Sequence, residues 1–518
     1  MSLAGLRSAL PDLPVSDETA DRLLYGRDAW PRHHFDVREG RVEGRPRPGP
    51  AGIAFPRNRD DVRDLVLWAR ATRTPLVPYG AGSGVTGGIL PSADAIVVDT
   101  KRMAAIRSLD PSCPAVTVEA GALGSTFEDE LAHRGFTLGH FPSSIMCSTV
   151  GGWIAARSAG QCSSRFGKIE DMVVSLECVT GAGELVTLPA RTRGRSLVPL
   201  VVGSEGTLAI VTAATLRIHP KSDVRTFGSF RFRTMEAGWS TMRDAFQAGL
   251  RPYALRLYDP FDAMVAKRNG SKGVPDTRQE AIPGPDTRAP RSVGLKDAIL
   301  RGLLRRPTAL NRFLRSERGE AWAGGAMLVA VFEGDDADAD LARLRALASE
   351  RAARESGEGP ARHWFRTRHA VSHRMAPIFA GGAFVDTFEV AATWSRLGAV
   401  YDAVRLALEP HVFVMAHMSH GYPDGACIYF SFVGSADRST PSWDGASRAR
   451  YDRAWAAAMD ATIRAGGTIA HHHGVGRAKA HALVTEMGEA VVAFGTLKDA
   501  FDPDGILNPG NLGLGRTT

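Results

Sequence analysis

Apolar and polar positions change period repeatedly along the chain. Residues 58–72 place Val62, Leu65, Val66 and Ala69 on one face, which predicts an amphipathic helix, with Asp60 and Asp61 in a first turn that favours negative charge. Short apolar runs at 75–78, 95–99 and 115–119 predict strands. Ser125-Thr126-Phe127-Glu128 matches a capping box and predicts a helix to about Arg134. A further strand is expected from Val173 to Thr180, turning at Gly181-Ala182-Gly183. Short strands and helices in alternation imply an α+β or α/β fold. From about Lys221 the elements lengthen. Strands are expected at 326–333, 384–390, 412–418 and 426–433, a helix at 445–465, and a last helix carrying Leu483, Met487, Val491, Phe494 and Leu497. The domain reading that follows is a polar, Arg-rich arm over 1–47, an α+β domain over 48–220, a second α/β domain over 221–460, and a closing segment over 461–518.

Composition narrows the class. The chain has 518 residues, 44% hydrophobic and 23% charged, as expected of a globular protein with a large core. No apolar run reaches the roughly 18–20 residues of a membrane span, and Met1 to Asp17 lacks the basic and apolar regions of a signal peptide. Five cysteines (Cys113, Cys147, Cys162, Cys178 and Cys427) form no CxxC pair, which fits a reducing compartment. The net charge of +7 is concentrated between Lys267 and Arg318, with 13 Lys/Arg against 5 Asp/Glu. That confinement argues against a general nucleic-acid face. Within it, 295–306 sets Leu295, Ile299, Leu303 and Leu304 broadly on one side, and Pro307 breaks the pattern. Two readings stay open for this insert: a solvated loop, or a basic amphipathic dock on an anionic membrane.

The chemistry begins at Pro78-Tyr79-Gly80-Ala81-Gly82-Ser83-Gly84-Val85-Thr86-Gly87-Gly88. A glycine-rich loop leaving a strand lets backbone N–H groups approach a phosphate closely. A second clamp is Pro142-Ser143, followed by Ser148-Thr149-Val150-Gly151-Gly152-Trp153. A third motif is Gly203-Ser204-Glu205-Gly206-Thr207-Leu208-Ala209-Ile210-Val211. One such loop is weak evidence; three in this order resemble the flavoprotein superfamily that includes vanillyl-alcohol oxidase, D-lactate dehydrogenase and alkyldihydroxyacetonephosphate synthase. The resemblance implies FAD held between two α+β subdomains of a PCMH-type domain, facing an α/β cap domain, with the C-terminal segment returning to the flavin. No His lies in the 78–88 loop, so FAD is expected without a His bond there.

The second half separates the branches. Metal-dependent 2-hydroxyacid dehydrogenases carry Gly-Asp-Gly-Asn-Leu-His and Glu-His-Gly-Ile-Gly stretches. Here the corresponding places read Asp424-Gly425-Ala426-Cys427-Ile428-Tyr429-Phe430 and His471-His472-His473-Gly474-Val475-Gly476-Arg477. Both resemble alkyldihydroxyacetonephosphate synthases, as does Arg251-Pro252-Tyr253-Ala254-Leu255-Arg256-Leu257. The resemblance implies exchange of the acyl chain of acyl-dihydroxyacetone phosphate for a long-chain alcohol in ether lipid synthesis. Tyr429 is the proton-transfer candidate, near pKa ~10 and in need of cationic neighbours, against the bland reading of a core tyrosine. His471, His472 and His473, with Arg256 and Arg477, would supply those neighbours. In a strand His471 and His473 would point away from His472, so no metal is expected, and at least one histidine is expected against flavin or phosphate. Arg374 maps to a phosphate-binding arginine, across a gap of one residue.

The expected partners are therefore acyl-dihydroxyacetone phosphate and a fatty alcohol, with peripheral membrane contact and a homodimer as further expectations and no nucleic acid. The rival readings are an FAD-dependent hydroxyacid or alcohol oxidoreductase, and a binding protein without catalysis. The Arg/Ala-rich composition looks bacterial, and Gly515-Arg516-Thr517-Thr518 is not a peroxisomal address. The expected location is the cytoplasm or the inner membrane face.

Overall fold

The computed structural model describes residues 3–36, 49–189, 196–264, 307–316, 318–319, 324–369, 383–435 and 443–514. The chain divides into two compact units. One comprises Met1–Asp223, Glu389–Ala391 and Thr468–Thr518; the other comprises Val224–Phe388 and Ala392–Gly467. Arg374 and most of the basic insert, including 295–306, lie outside the described residues. Among the described residues no helix is long and apolar enough to cross a membrane.

In the first unit, four strands, β1 (Val15–Ser16), β2 (Gly52–Ala54), β3 (Leu76–Tyr79) and β4 (Ile96–Asp99), form a sheet of order β1-β2-β4-β3. β2, β4 and β3 run parallel, and β4 is buried along its whole length. A parallel strand covered on both faces needs a continuous apolar run, which Ile96-Val97-Val98 provides. The helix Arg59–Thr72 buries the predicted Val62, Leu65, Val66 and Ala69. Asn58 caps it, accepting the amides of Asp60 and Asp61 through its side chain. The N-terminal arm is part of this core: Leu3, Leu6 and Leu13 pack with Leu65 and Val98. Its weak periodicity reflects a few separate anchors rather than one long amphipathic face.

A second sheet of the same unit has the order β5-β6-β10-β8-β9, all antiparallel: β5 (Ile106–Asp110), β6 (Ala115–Glu119), β8 (Val173–Thr180), β9 (Leu185–Pro189) and β10 (Ala209–Arg217). β7 (Phe136–Thr137) and β11 (His219–Pro220) pair separately. The expected capping box is not used here. The helix runs Gly124–His133 with Leu123 as its N-cap. The Glu128 side chain turns away to accept the Gly139 amide at 3.0 Å and the Thr137 hydroxyl at 3.0 Å. Burial pushes its pKa up to about 7 against those hydrogen bonds.

The second unit is built on a seven-stranded sheet of order β15-β12-β14-β13-β17-β18-β16. Its strands are β12 (Arg225–Phe232), β13 (Ala254–Tyr258), β14 (Ala326–Glu333), β15 (Arg354–Glu355), β16 (Ala383–Thr393), β17 (Phe413–Gly421) and β18 (Gly425–Ser435). The helices Met235–Gln247, Trp394–Leu408 and Trp443–Arg464 accompany it. β14 is buried at every position. β13, β17, β18 and β16 instead alternate, so one set of side chains is buried and the other is only partly covered. Leu310, Phe313 and Leu314 lie in the helix Pro307–Arg315, which includes Pro307 itself. The expected last helix is two, Ala480–Met487 and Ala490–Phe501, divided at Gly488 with φ +54°.

Candidate functional site

In the first unit, the three glycine motifs converge. The chain leaves β3 at Tyr79 and enters the loop, where Gly82 takes φ +71°. A Cβ on Gly82 would collide with the Tyr79 hydroxyl, and one on Gly80 with the Thr149 hydroxyl. A Cβ on Gly206 would lie 2.9 Å from the Pro78 ring. Among the described residues, the N–H groups of Ala81, Gly82 and Ser83 donate to no protein acceptor. Backbone donors left open in a cradle that side chains would fill suit a diphosphate.

The other expected cofactor residues divide between backbone and core. Thr149 caps the helix Val150–Ala155, its hydroxyl accepting the Gly152 amide. The Gly151 N–H donates to Ala120 O at 2.7 Å. The Trp153 indole is buried in the core of the five-stranded sheet and donates to the Ser148 hydroxyl at 2.8 Å. Ser143 accepts from the Gln161 amide at 3.1 Å, and Pro142 O accepts the Ile145 N–H at 3.1 Å. Leu208, Ala209, Ile210 and Val211 are buried along the start of β10, and the Thr207 hydroxyl donates to Ser204 O.

Glu205 sits at φ +50° and turns its carboxylate to the C-terminal segment. It accepts the Val475 N–H at 2.6 Å, the Gly476 N–H at 3.0 Å and the Asn511 side-chain amide at 3.0 Å. Burial raises its pKa, with those donors and Lys479 opposing. Asp28, a residue of the N-terminal arm, accepts the Gly87 and Gly88 amides at 2.8 and 3.2 Å and pairs with His33 at 2.9 Å. The glycine loop is thus held from both chain ends.

The histidine triplet is not in a strand, contrary to the expectation. It forms a bend whose amides converge on the Glu389 carboxylate, at 2.7 Å for His471, 3.3 Å for His472 and 3.0 Å for His473. Lys479 lies 3.2 Å from the same carboxylate, and neither side chain of this pair has any exposure. Burial works to raise the Glu389 pKa, but the Lys479 charge, the largest opposing influence, and the His473 amide help to hold it below the ordinary value. Burial depresses His471 and His473 to about 4, leaving both rings neutral at pH 7. Arg477 donates to the backbone carbonyls of Leu90 at 2.9 Å and Pro509 at 3.3 Å, so it ties the segment to the loop region.

The second unit holds a different constellation. Tyr258 pairs with His417, and His417 with Tyr429, in register across β13, β17 and β18. Their rings follow the strand spacing: Tyr258 to His417 is 5.4 Å, and His417 to Tyr429 is 5.0 Å with an interplanar angle of 9°. Arg256 lies two residues before Tyr258, hence on the same face. Its guanidinium rests over the Tyr258 and Trp364 rings at 5.9 and 5.4 Å. Its Nε is buried with no hydrogen-bond partner among the described residues. Asp262 accepts from His417 Nδ1 at 3.0 Å. Of this group the sequence singled out Arg256 and Tyr429. Tyr258, Asp262 and His417 were missed, although period-two alternation along β13 and β17 was the available signal for two of them.

Two family models match the chain, a FAD binding domain over residues 50–189 and "FAD linked oxidases, C-terminal domain" over residues 221–512. The alkyldihydroxyacetonephosphate synthase of Trypanosoma brucei brucei is 27% identical over 94% of this chain and 75% of its own length. The glycolate oxidase subunit GlcD of Bacillus subtilis is 25% identical over 96% of this chain and 93% of its own. A solved alkyldihydroxyacetonephosphate synthase structure superposes with a TM-score of 0.71 at 23% identity, covering 98% of this chain and 84% of that one, which shows a common fold. The glycine motifs, their open backbone donors and the family matches lead to one conclusion: the chain belongs to the FAD-linked oxidases, with a PCMH-type FAD-binding fold and FAD as its cofactor.

Proposed function

We propose that this FAD-dependent enzyme exchanges the acyl chain of acyl-dihydroxyacetone phosphate for a long-chain alcohol, as an alkyl transferase of the alkyldihydroxyacetonephosphate synthase type. The observation that carries the reading is the polar sheet face of the second unit, where Arg256, Tyr258 and Tyr429 surround a neutral imidazole. It offers a cation for an anionic substrate and hydroxyls for proton transfer, in place of the Asn-Leu-His stretch of metal-dependent hydroxyacid dehydrogenases. Similarity to the trypanosomal synthase over 94% of the chain supports it. When bound, FAD supplies reversible redox chemistry at its ring, with no net oxidation over the cycle. Arg256 stabilises negative charge that develops on the substrate. Tyr429 moves a proton. The buried Glu389–Lys479 pair fixes the backbone that presents His471–His473. Arg374 remains a candidate for the substrate phosphate. The basic 267–318 segment and two lipid substrates favour work in the cytoplasm at the inner membrane face.

A second reading, oxidation of a hydroxyacid, is favoured by the similarity to the glycolate oxidase subunit over nearly its full length. Anaerobic spectra of the purified yellow protein separate the two. Palmitoyl-dihydroxyacetone phosphate with hexadecanol should give ether product and leave the oxidised flavin bands in place at the end. Bleaching by glycolate or D-lactate without ether formation would establish the second reading instead.

A further inference from the structure

The polar face of the second unit contains an imidazole with a fixed tautomer. Asp262 accepts from His417 Nδ1 at 3.0 Å, so the proton of a neutral ring sits on Nδ1 and Nε2 is left as an acceptor. Nε2 has no protein partner among the described residues. Asp262 is itself held in place. Its N–H donates to Asp259 Oδ1 at 2.8 Å, and Asp259 Oδ2 accepts from Arg405 and from the Ala416 N–H, each at 2.8 Å. Arg405 also donates to the Tyr401 hydroxyl. This buried network joins the turn after β13 to β17, the strand that carries His417. A carboxylate positioned on Nδ1–H with a free Nε2 beyond it is the arrangement by which a histidine accepts a proton from a hydroxyl.

Tyr258 lies on one side of the ring and Tyr429 on the other, with His420 tilted against Tyr429 at 6.4 Å. Among the described residues, Arg256, Asp262 and Asp259 are the charged groups that act on it. Burial, the largest influence, lowers the His417 pKa, and Arg256 adds to that; Asp262 and Asp259 oppose. The ring is therefore a neutral base at pH 7, while Asp262 offsets the imidazolium once it forms.

We propose that Asp262 and His417 form an acid–base dyad in which His417 Nε2 takes the proton of a substrate hydroxyl at this face. This rests on the reading of the face as the substrate site. In the alkyl exchange the hydroxyl is that of the entering alcohol: its O–H bond breaks, the oxygen forms the new bond to carbon, and the proton goes to His417 Nε2. The bond between that carbon and the acyloxy oxygen is the one broken over the cycle, so the fatty acid leaves as carboxylate with both its oxygens and the proton passes to solvent. No oxidant is consumed. His417 is the catalytic member, and Asp262 is a positioning residue that selects the tautomer.

The test is a set of pH–rate profiles for His417→Gln, His417→Ala and Asp262→Asn, with FAD content and melting temperature as controls. The proposal expects kcat to fall about 100- to 10,000-fold in each variant, with KM and FAD content little changed. It expects loss of the acid limb of the profile, and partial rescue of His417→Ala by added imidazole. His417→Gln at near wild-type kcat with an unchanged pH profile would overturn it. A second readout needs no turnover: histidine 15N NMR of the intact protein should show His417 protonated at Nδ1, and Asp262→Asn should lose that state. An Nε2–H tautomer in the wild type would overturn the dyad even if the alkyl exchange is confirmed. If neither palmitoyl-dihydroxyacetone phosphate with hexadecanol nor a hydroxyacid turns over, the reading of the site falls, and the tautomer then decides the dyad by itself.

Discussion

Replacing Lys479 with Met removes the only side-chain cation bonded to the Glu389 carboxylate among the described residues. The shape of the stem is nearly kept, so the effect is mainly electrostatic. Glu389 would retain the three amides of His471, His472 and His473 but lose its counter-charge at a site with no solvent exposure. Removing one partner of a buried pair costs about 3–5 kcal/mol. The surviving amide hydrogen bonds place the expected value near the lower end, about 3 kcal/mol. At about 2–4 °C per kcal/mol for a unit of this size, the melting temperature should fall by roughly 6–12 °C. Thermal unfolding of the FAD-loaded protein, followed by circular dichroism and flavin fluorescence, measures this directly. Lys479→Met combined with Glu389→Gln should be less damaging than the sum, by about 1–3 kcal/mol, because the neutral amide no longer needs the cation. A loss below about 1 kcal/mol in Lys479→Met, or strict additivity in the double variant, would refute the argument that this pair anchors the histidine bend.

Three further outcomes follow from the same geometry. Gly82→Ala forces a side chain into φ +71° against the Tyr79 hydroxyl, and should reduce FAD retention at least about tenfold, given about 1–2 kcal/mol of strain alone; equilibrium dialysis with FAD reads it. Tyr429→Phe keeps the ring stacked on His417 but removes the hydroxyl, so product formation should fall about 100-fold or more with FAD content unchanged. His471 and His473 stay neutral down to about 4 in the folded protein, whereas in the unfolded chain they take protons below about 6.5. The unfolded state therefore binds more protons between these values, and stability is full above about pH 6.5 and lost as pH falls towards 4. Each histidine contributes up to about 1.4 kcal/mol per pH unit in that window, and His471→Gln should flatten the melting-temperature profile there.

The sequence made legible what local patterning determines. Val173–Thr180 and Ala326–Glu333 appear with the expected bounds, because each is an apolar run set off by residues that do not continue it. The glycine motifs were legible because close backbone approach demands glycine at specific positions, as Gly80 beside Thr149 shows. Distant pairings were not. Asp28 meets Gly87 from 59 residues away, Lys479 meets Glu389 across 90, and Asp262 meets His417 across 155. A lone acidic residue in a turn carries no local sign that it will accept hydrogen bonds from another element. The capping box at 125–128 misled because Glu128 had a stronger claim on it, the amides around Gly139. The triplet at 471–473 misled because β-like alternation was assumed where a carboxylate gathers successive amides into a bend.

The alkyl exchange is tested most directly by mass spectrometry of the products formed under argon from palmitoyl-dihydroxyacetone phosphate and hexadecanol labelled with 18O. If the alcohol oxygen forms the new bond to carbon, the label is retained in hexadecyl-dihydroxyacetone phosphate and is absent from the released palmitate. No labelled ether, together with flavin bleached by a hydroxyacid, would contradict the account and identify the protein as an FAD-linked oxidoreductase.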